Sequence, residues 1–334
     1  MDTRTAPEPR LPLLDGLRGL AAIFVMMFHV ELTFGVSGPF SRSYLFVDFF
    51  FLLSGFVLTL AAEARMNAGL GAIGFMRSRL RRLWPAIAIG VLIGAARHLG
   101  LHEAPALAFA TLMGLLMIPM LHHAGMIYPL NGPHWSLLQE LIANLVHGLI
   151  LRRLGDSALL AVAGIAAMAL VATVLHFGAN TAGPFSHNWW GALPRVAFAY
   201  TLGIWMGRKW MAGGRHHRAP WPLALLLPGA ALLALPTLPL DVALGDLAMV
   251  LLLFPPLLWL GAASRIPKAA APWLARLGAI SFPLYAIHLP MIEMMTRFGQ
   301  SVTIQLLVPI LLILVAAAIA PLTAPGKLAI RAAR

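Results

Sequence analysis

Long apolar runs, rich in Leu and Ala, recur along the whole chain and are broken only by short stretches of Arg, His, Gly or Pro. A helix needs about 20 such residues to cross a bilayer, whereas a membrane strand needs about 10 and alternates polar with apolar. The run lengths and the lack of alternation predict helices and exclude a membrane barrel. Candidate segments lie at 11–34, 44–62, 84–98, 105–121, 135–151, 157–176, 193–211, 221–236, 243–262, 279–296 and 301–323.

Basic residues between the runs set the expected topology, because Lys and Arg mark cytoplasmic connections. Arg4 and Arg10, then Arg65, Arg77, Arg79, Arg81 and Arg82, place the N-terminus and the second connection in the cytoplasm. Arg152 with Arg153, and the clusters at 208–218, 265–276 and 327–334, ask for the same side. Three segments fall between the second connection and Arg152, and only an even number can cross, so either 84–98 or 105–121 does not span. The stretch 122–134 carries no Lys or Arg and suits the outside. The expectation is an all-α integral membrane protein, a polytopic bundle of about ten transmembrane helices plus one re-entrant or non-spanning segment. It forms one domain over 1–334, without internal repeat, with cytoplasmic tails at 1–10 and 325–334.

Composition agrees. Of 334 residues, 60% are hydrophobic and only 11% charged, against roughly 25% charged in soluble domains. The net charge of +12 is accounted for by topology signals, so no nucleic-acid partner is implied. The chain has no cysteine, which removes disulfides, thiolate ligands and an acyl-cysteine intermediate. No short apolar core with a small-residue cleavage site opens the sequence, so no removable signal peptide is expected.

Ionisable residues inside apolar runs are costly and therefore informative. The first run, LDGLRGLAAIFVMMFHV, holds Asp15, Arg18 and His29. Eleven helical steps come to about three turns plus 20°, so Arg18 and His29 share one face about 16 Å apart. Two readings stand: a pair lining a polar cavity, or an Arg snorkelling beside Asp15 and a His bonded to a carbonyl. Asp48, in FVDFFFLLSGFVL, is a candidate partner for His29 or a structural acid, and Ser54 with Gly55 marks a close helix approach. FMRSRLRRLWP presents Arg77, Arg79, Arg81 and Arg82 as a surface for phosphates, although topology alone would also place them there. In NGPHWSLLQELIAN, Trp135 reads as an interfacial anchor. Glu140 shares its face with Asn144 and His147, and is expected in the cavity of His29 or in an ion pair with an arginine. Tyr285 and His288 sit on consecutive turns between Pro283 and Pro290, and His122, His123, His187, His216 and His217 fall in connections. No metal-ligand spacing, phosphate loop, dinucleotide fingerprint or serine elbow is found.

The run LDGLRGLAAIFVMMFH, then VDFFFLLSGFV, then RxxRLWP at 79–85, with WSLLQE and ISFPLYAIHLPM further on, resembles membrane acyltransferase family 3 over nearly the whole chain. The resemblance implies a bacterial inner-membrane enzyme, with both termini cytoplasmic, that moves an acyl group, acetyl in the first instance, from cytoplasmic acyl-CoA to a hydroxyl of an extracytoplasmic saccharide or glycolipid. Acyl-CoA is then the donor substrate, no cofactor is held permanently, and the oligomeric state is open. Arg18 and His29 become the essential pair, Glu140 and Asp48 acids beside them, and Arg79 and Arg82, with Arg77 and Arg81, the basic positions for CoA. Trp135, Tyr285 and His288 are the expected acceptor contacts. Leu138 stands where the family often has serine, and Phe46 where it usually has glycine. The extra hydrolase-like domain of larger members is not expected, which leaves acceptor recognition to the membrane domain. A proton-coupled transporter built on the same Arg, His and Glu is the rival reading.

Overall fold

The computed structural model describes residues 11–101, 103–122, 124–213 and 220–323. The expected cytoplasmic tails with Arg4, Arg10 and the 327–334 cluster, together with His123, His216 and His217, lie outside the described residues. Among those described there are twelve α-helices and no extended sheet strand. They are α1 (Pro12–Phe34), α2 (Phe46–Leu58), α3 (Gly71–His98), α4 (Ala104–Leu115), α5 (His134–Leu149) and α6 (Asp156–Phe177). The remainder are α7 (Ala192–Gly213), α8 (Trp221–Ala234), α9 (Val242–Leu247), α10 (Phe254–Ala263), α11 (Ala271–Met295) and α12 (Val302–Thr323). Six continuous helical segments are long and apolar enough to cross a membrane: Pro12–Phe34, Ser43–Glu63, Asp156–Phe177, Val242–Ala263, Ala271–Phe298 and Val302–Thr323.

Residue pairings fix the relative directions of the helices. Asp15 lies against Gly278, Arg18 bonds Ser281 and His29 meets His288, so α1 and α11 run parallel. Gly90 lies against Ala286 and Arg97 pairs with Glu293 at 3.0 Å, which sets α3 parallel to both. On α2 and α7, Asp48 pairs with Arg195, and the segment's end at Glu63 pairs with Arg208; these two also run parallel. Gly55 and Gly203 let them touch, since a Cβ on either would come within 2.2 Å of a backbone oxygen on the other helix. Around this contact Phe46, Phe49, Phe56, Tyr200 and Phe254 form the fully buried core.

The middle of the chain, where the parity problem lies, holds a long α3 and a short α4. Helix α3 is longer than the 84–98 run and takes in the whole arginine stretch, so 28 residues span about 42 Å. Only 12 residues make α4, about 18 Å, too short for a hydrocarbon core of about 30 Å. The Trp84 indole N–H donates to Leu115 O at 3.2 Å, so α4 dips alongside α3. The chain then returns, Met120 N–H donating to Ile127 O, Tyr128 O–H to Met117 O, and Leu130 O lying against Gly94. Among the described residues the 105–121 segment thus holds one short helix and a returning stretch of chain, and it is not one of the segments long enough to cross.

Candidate functional site

A cavity of about 370 Å³ opens between α1, α2, α3, α5, α11 and α12. Its polar lining comes from all six: Asp15 and Arg18 on α1, Ser54 on α2, Arg79 and Arg82 on α3, Ser136 and Glu140 on α5, Ser281 and Tyr285 on α11, and Thr323 on α12. Val47, Phe50, Phe51, Leu53, Val57, Leu137 and Phe282 give it apolar walls.

The arginine stretch is helical, and that decides which arginines reach the site. Positions 79 and 82 are one turn apart and face the cavity, while 77 and 81, also one turn apart, share the opposite, exposed side. Arg77 and Arg81 are thus not brought to the cavity. Arg18 is fixed by three bonds: Nε to Ser281 Oγ at 2.9 Å, and Nη2 to Asp15 Oδ1 and to Gly278 O at 3.0 Å each. Arg79 Nη2 donates to Glu140 Oε1 at 2.7 Å, and its buried Nε–H has no partner. Among the described residues Arg82 forms no hydrogen bond or ion pair. Among the described residues three guanidiniums stand against two carboxylates at this end of the cavity, an excess of one positive charge with free donors, the chemistry that receives phosphate.

Glu140 does not approach His29. Its carboxylate accepts from Arg79 and from Ser54 Oγ at 2.8 Å, because the face of α5 that carries it turns to α2 and α3. Asp48 does not pair with His29 either. It is held by Arg195 Nη2 at 2.7 Å and Asn180 Nδ2 at 3.0 Å, among fully buried groups outside the cavity lining. Trp135 is buried rather than interfacial: the Arg195 guanidinium lies 5.0 Å above its ring and Gly183 packs on its six-membered edge. Tyr285 does line the cavity. Ser136 Oγ donates to Pro133 O, so the Tyr285 hydroxyl donates to Ser136 Oγ, at 2.6 Å.

His29 and Arg18 share a face of α1, since both reach α11, yet His29 is not among the residues that line the cavity. The Phe50 and Tyr285 rings, 5.5 Å apart, both line it. Tyr285 lies 5.5 Å from the His288 ring, and His288 lies 4.7 Å from His29. Among the described residues Arg18 thus lines this cavity and His29 does not, and Tyr285, which does, leads through His288 to His29. His29 itself is partly exposed, whereas His288 is fully buried. His122 and His187 are exposed in connections, and among the described residues no cluster of three His, Asp or Glu side chains could hold a metal.

Ser281 at the site, and Arg195 and Asp246 in the scaffold beside it, are residues that reading by runs passes over. Arg195 and Asp246 are ionisable residues in apolar runs and carry the signal that singles out Asp48. Asp246 accepts from Arg42 and Tyr44 at 2.7 Å each and from the Asn180 backbone, tying α9 to the turn before α2. Ser281 has no signal in sequence apart from the arginine it meets.

Residues 11–324 match the profile of acyltransferase family 3, described as an acyltransferase domain. The chain is 37% identical over 164 residues to protein 2 in the picA locus of Rhizobium radiobacter, covering 42% of this chain and 83% of that one. It is 34% identical over 85 residues to the peptidoglycan O-acetyltransferase OatA of Listeria monocytogenes, and 39% over 83 residues to the O-acetyltransferase OatA of Staphylococcus aureus. These two alignments cover 25% and 24% of this chain and only 13% of either OatA. No solved structure is significantly similar.

Proposed function

The chain belongs to acyltransferase family 3 and is an integral membrane acyltransferase; from that premise we propose that it transfers an acetyl group from acetyl-CoA to a hydroxyl of a saccharide or glycolipid on the outer side of the membrane. The observation that carries this reading is the cavity with Arg18, Arg79 and Arg82 in its lining and with Tyr285, which leads through His288 to His29. The family assignment favours a transfer site over the proton relay of a carrier. The O-acetyl chemistry is supported by the printed activities of the OatA relatives, of which this chain covers only a fraction.

In this reading the CoA phosphates rest on Arg82 and on the free donor of Arg79, and the pantetheine arm follows the apolar walls toward Tyr285. The acceptor comes to the exposed side of His29. Its oxygen attacks the thioester carbonyl while its proton passes to His29 Nε2; the C–S bond then breaks, the leaving thiolate takes that proton, and CoA departs as thiol with His29 neutral again. A positioned base contributes about 10²- to 10⁴-fold in rate. An acyl-histidine intermediate is the alternative route at the same residue.

The helix directions support ten crossings, α1, α2, α3, α5, α6, α7, α8, the α9–α10 segment, α11 and α12, with α4 re-entrant. An even count puts both termini on one side. The basic connections support the cytoplasm as that side, and the bacterial relatives support the inner membrane. Purified protein in nanodiscs is expected to release free thiol from acetyl-CoA only when a saccharide acceptor is present, and His29→Ala is expected to abolish release while retaining acetyl-CoA binding. Surface glycans from cells lacking the protein should lose an ester mass. Thiol release by the alanine variant at the wild-type rate would overturn the assignment of His29.

A further inference from the structure

We infer that His288 is the positioning residue of the site: by accepting the Nδ1–H of His29 it fixes that ring's tautomer and turns the bare Nε2 toward the acceptor hydroxyl. The inference rests on the acyl-transfer reading above.

The proton positions follow from counting donors and acceptors. His29 Nδ1 lies 2.9 Å from Val25 O, and a carbonyl can only accept, so Nδ1 carries the hydrogen. His288 Nδ1 lies 2.8 Å from Tyr285 O and carries its hydrogen for the same reason. A neutral His288 then has a lone pair on Nε2, and this atom lies 3.1 Å from His29 Nδ1. The Nδ1–H of His29 is shared between the Val25 carbonyl and His288 Nε2, and the one lone pair left on the His29 ring is at Nε2. The other arrangement of His288 would set a lone pair against a carbonyl and an N–H against an N–H. Each ring is thus ordered by a carbonyl of its own helix, and the two are joined by one donated bond.

The packing holds this geometry. A Cβ on Gly19 would come within 2.6 Å of Leu277 O, and one on Gly278 within 2.6 Å of Asp15 Cβ, so α1 and α11 lie in backbone contact two to three turns before the ring pair. His288 is completely buried and cannot meet the acceptor itself. Among the described residues neither imidazole forms an ion pair with a carboxylate. Glu140 is engaged by Arg79 and Ser54, and Asp48 by Arg195 and Asn180. The place that a carboxylate takes behind the base of a Ser-His-Asp triad is therefore filled here by a neutral imidazole. When His29 Nε2 gains the acceptor's proton, the positive charge on the ring is met at Nδ1 by two acceptors already in position.

The test compares wild type, His29→Ala, His288→Gln and His288→Met in nanodiscs, with acetyl-CoA and a saccharide panel. Thiol release is separated into kcat and KM, and a thermal midpoint is recorded for each protein. Gln can place its carbonyl oxygen near where Nε2 stands, whereas Met offers no comparable acceptor. His288→Met is expected to lower kcat about 100-fold with KM for acetyl-CoA changed less than about 2-fold, and Gln should recover at least about 10-fold of the loss. Wild-type kcat in the Met variant, or equal losses in folded Met and Gln variants, would overturn the inference and leave the transfer reading standing. A wild type that releases no thiol with any acceptor would instead overturn the transfer reading. Nitrogen NMR of histidine-labelled wild type gives a check that needs no variant: His29 should carry its hydrogen on Nδ1, and the opposite tautomer refutes the assignment.

Discussion

The Arg195 guanidinium grips the Asp48 carboxylate with two bonds, Nη2 to Oδ2 at 2.7 Å and Nε to Oδ1 at 3.2 Å, and both side chains are all but sealed from solvent. Arg195 also donates to Ala182 O and stacks on Trp135, so the pair ties α2 and α7 to the connection before α7. Removing one member of a buried pair strands the other, at a cost of about 3–5 kcal/mol. Asp48→Ala should lower the unfolding free energy by that amount, read as a lower midpoint in a calorimetric scan of detergent-solubilised protein. Asp48→Leu combined with Arg195→Met should recover part of it, the Ala182 carbonyl remaining unpaired. A stable but inactive Asp48→Ala protein would assign this acid to the chemistry and not to the scaffold.

Helical phase divides the four arginines of α3 into two classes. Arg82 has no protein partner among the described residues and Arg79 has a free Nε–H, both at the cavity, whereas Arg77 and Arg81 face outward. A charge-assisted bond to phosphate is worth about 1.5–3 kcal/mol, or roughly 10- to 100-fold in affinity. Arg82→Ala should raise KM for acetyl-CoA by that factor with a smaller change in kcat. Arg77→Ala and Arg81→Ala should move it less than about 3-fold. Steady-state kinetics on the three variants decide between a directed site and a diffuse basic surface, which would give three equal effects.

The run pattern in the sequence is enough to find the membrane segments, because burial in lipid acts on every residue of a span. The 221–236 and 243–262 runs, for instance, coincide with helical segments to within a residue at each end. It also places Arg18 and His29 on one stripe, since helical phase is local. Their partners are not local. Ser281 and His288 lie on a helix about 260 positions away, and nothing in the first run says that α11 runs parallel to it. Glu140 shows the same limit: the sequence puts it on a polar face of α5, yet that face meets Arg79, the ion-pair option, and not the imidazole. The arginine stretch reads as a loop because its charges interrupt the apolar run, but α3 continues through them.

The α2 and α7 backbones approach at two glycines, and the approach is needed to bring Asp48 to Arg195 and Glu63 to Arg208. A Cβ on Gly55 would lie 2.1 Å from Tyr200 O, and one on Gly203 2.2 Å from Leu52 O. Backbone cannot yield as a side-chain tip does, so the helices must part. Overpacking of this kind costs about 1–3 kcal/mol or more. Gly55→Val and Gly203→Val should each lower thermal stability by at least that amount, while Gly164→Val, on the open face of α6 with no atom within 4 Å, should change it by less than about 1 kcal/mol.

In the proposed route Phe50 and Tyr285, which both line the cavity with ring centroids 5.5 Å apart and nearly perpendicular, form the layer before the histidine pair. Tyr285 is held by its bond to Ser136 and by its position beside His288, so Phe50, partly exposed to the cavity, is the ring with freedom to turn. Transfer requires the thioester to pass this layer, and the same layer keeps water on the cavity side away from the base. Phe50→Ala should therefore open the cavity toward His29 and uncouple hydrolysis from transfer. Acetyl-CoA should lose its acyl group to water without a saccharide, measured as acceptor-independent thiol release above the wild-type level. The same release should vanish in the Phe50→Ala, His29→Ala double variant, because water needs the same base as the acceptor. If Phe50→Ala releases thiol only with acceptor, at the wild-type ratio, the ring is not a barrier and the two ends of the site communicate by another route.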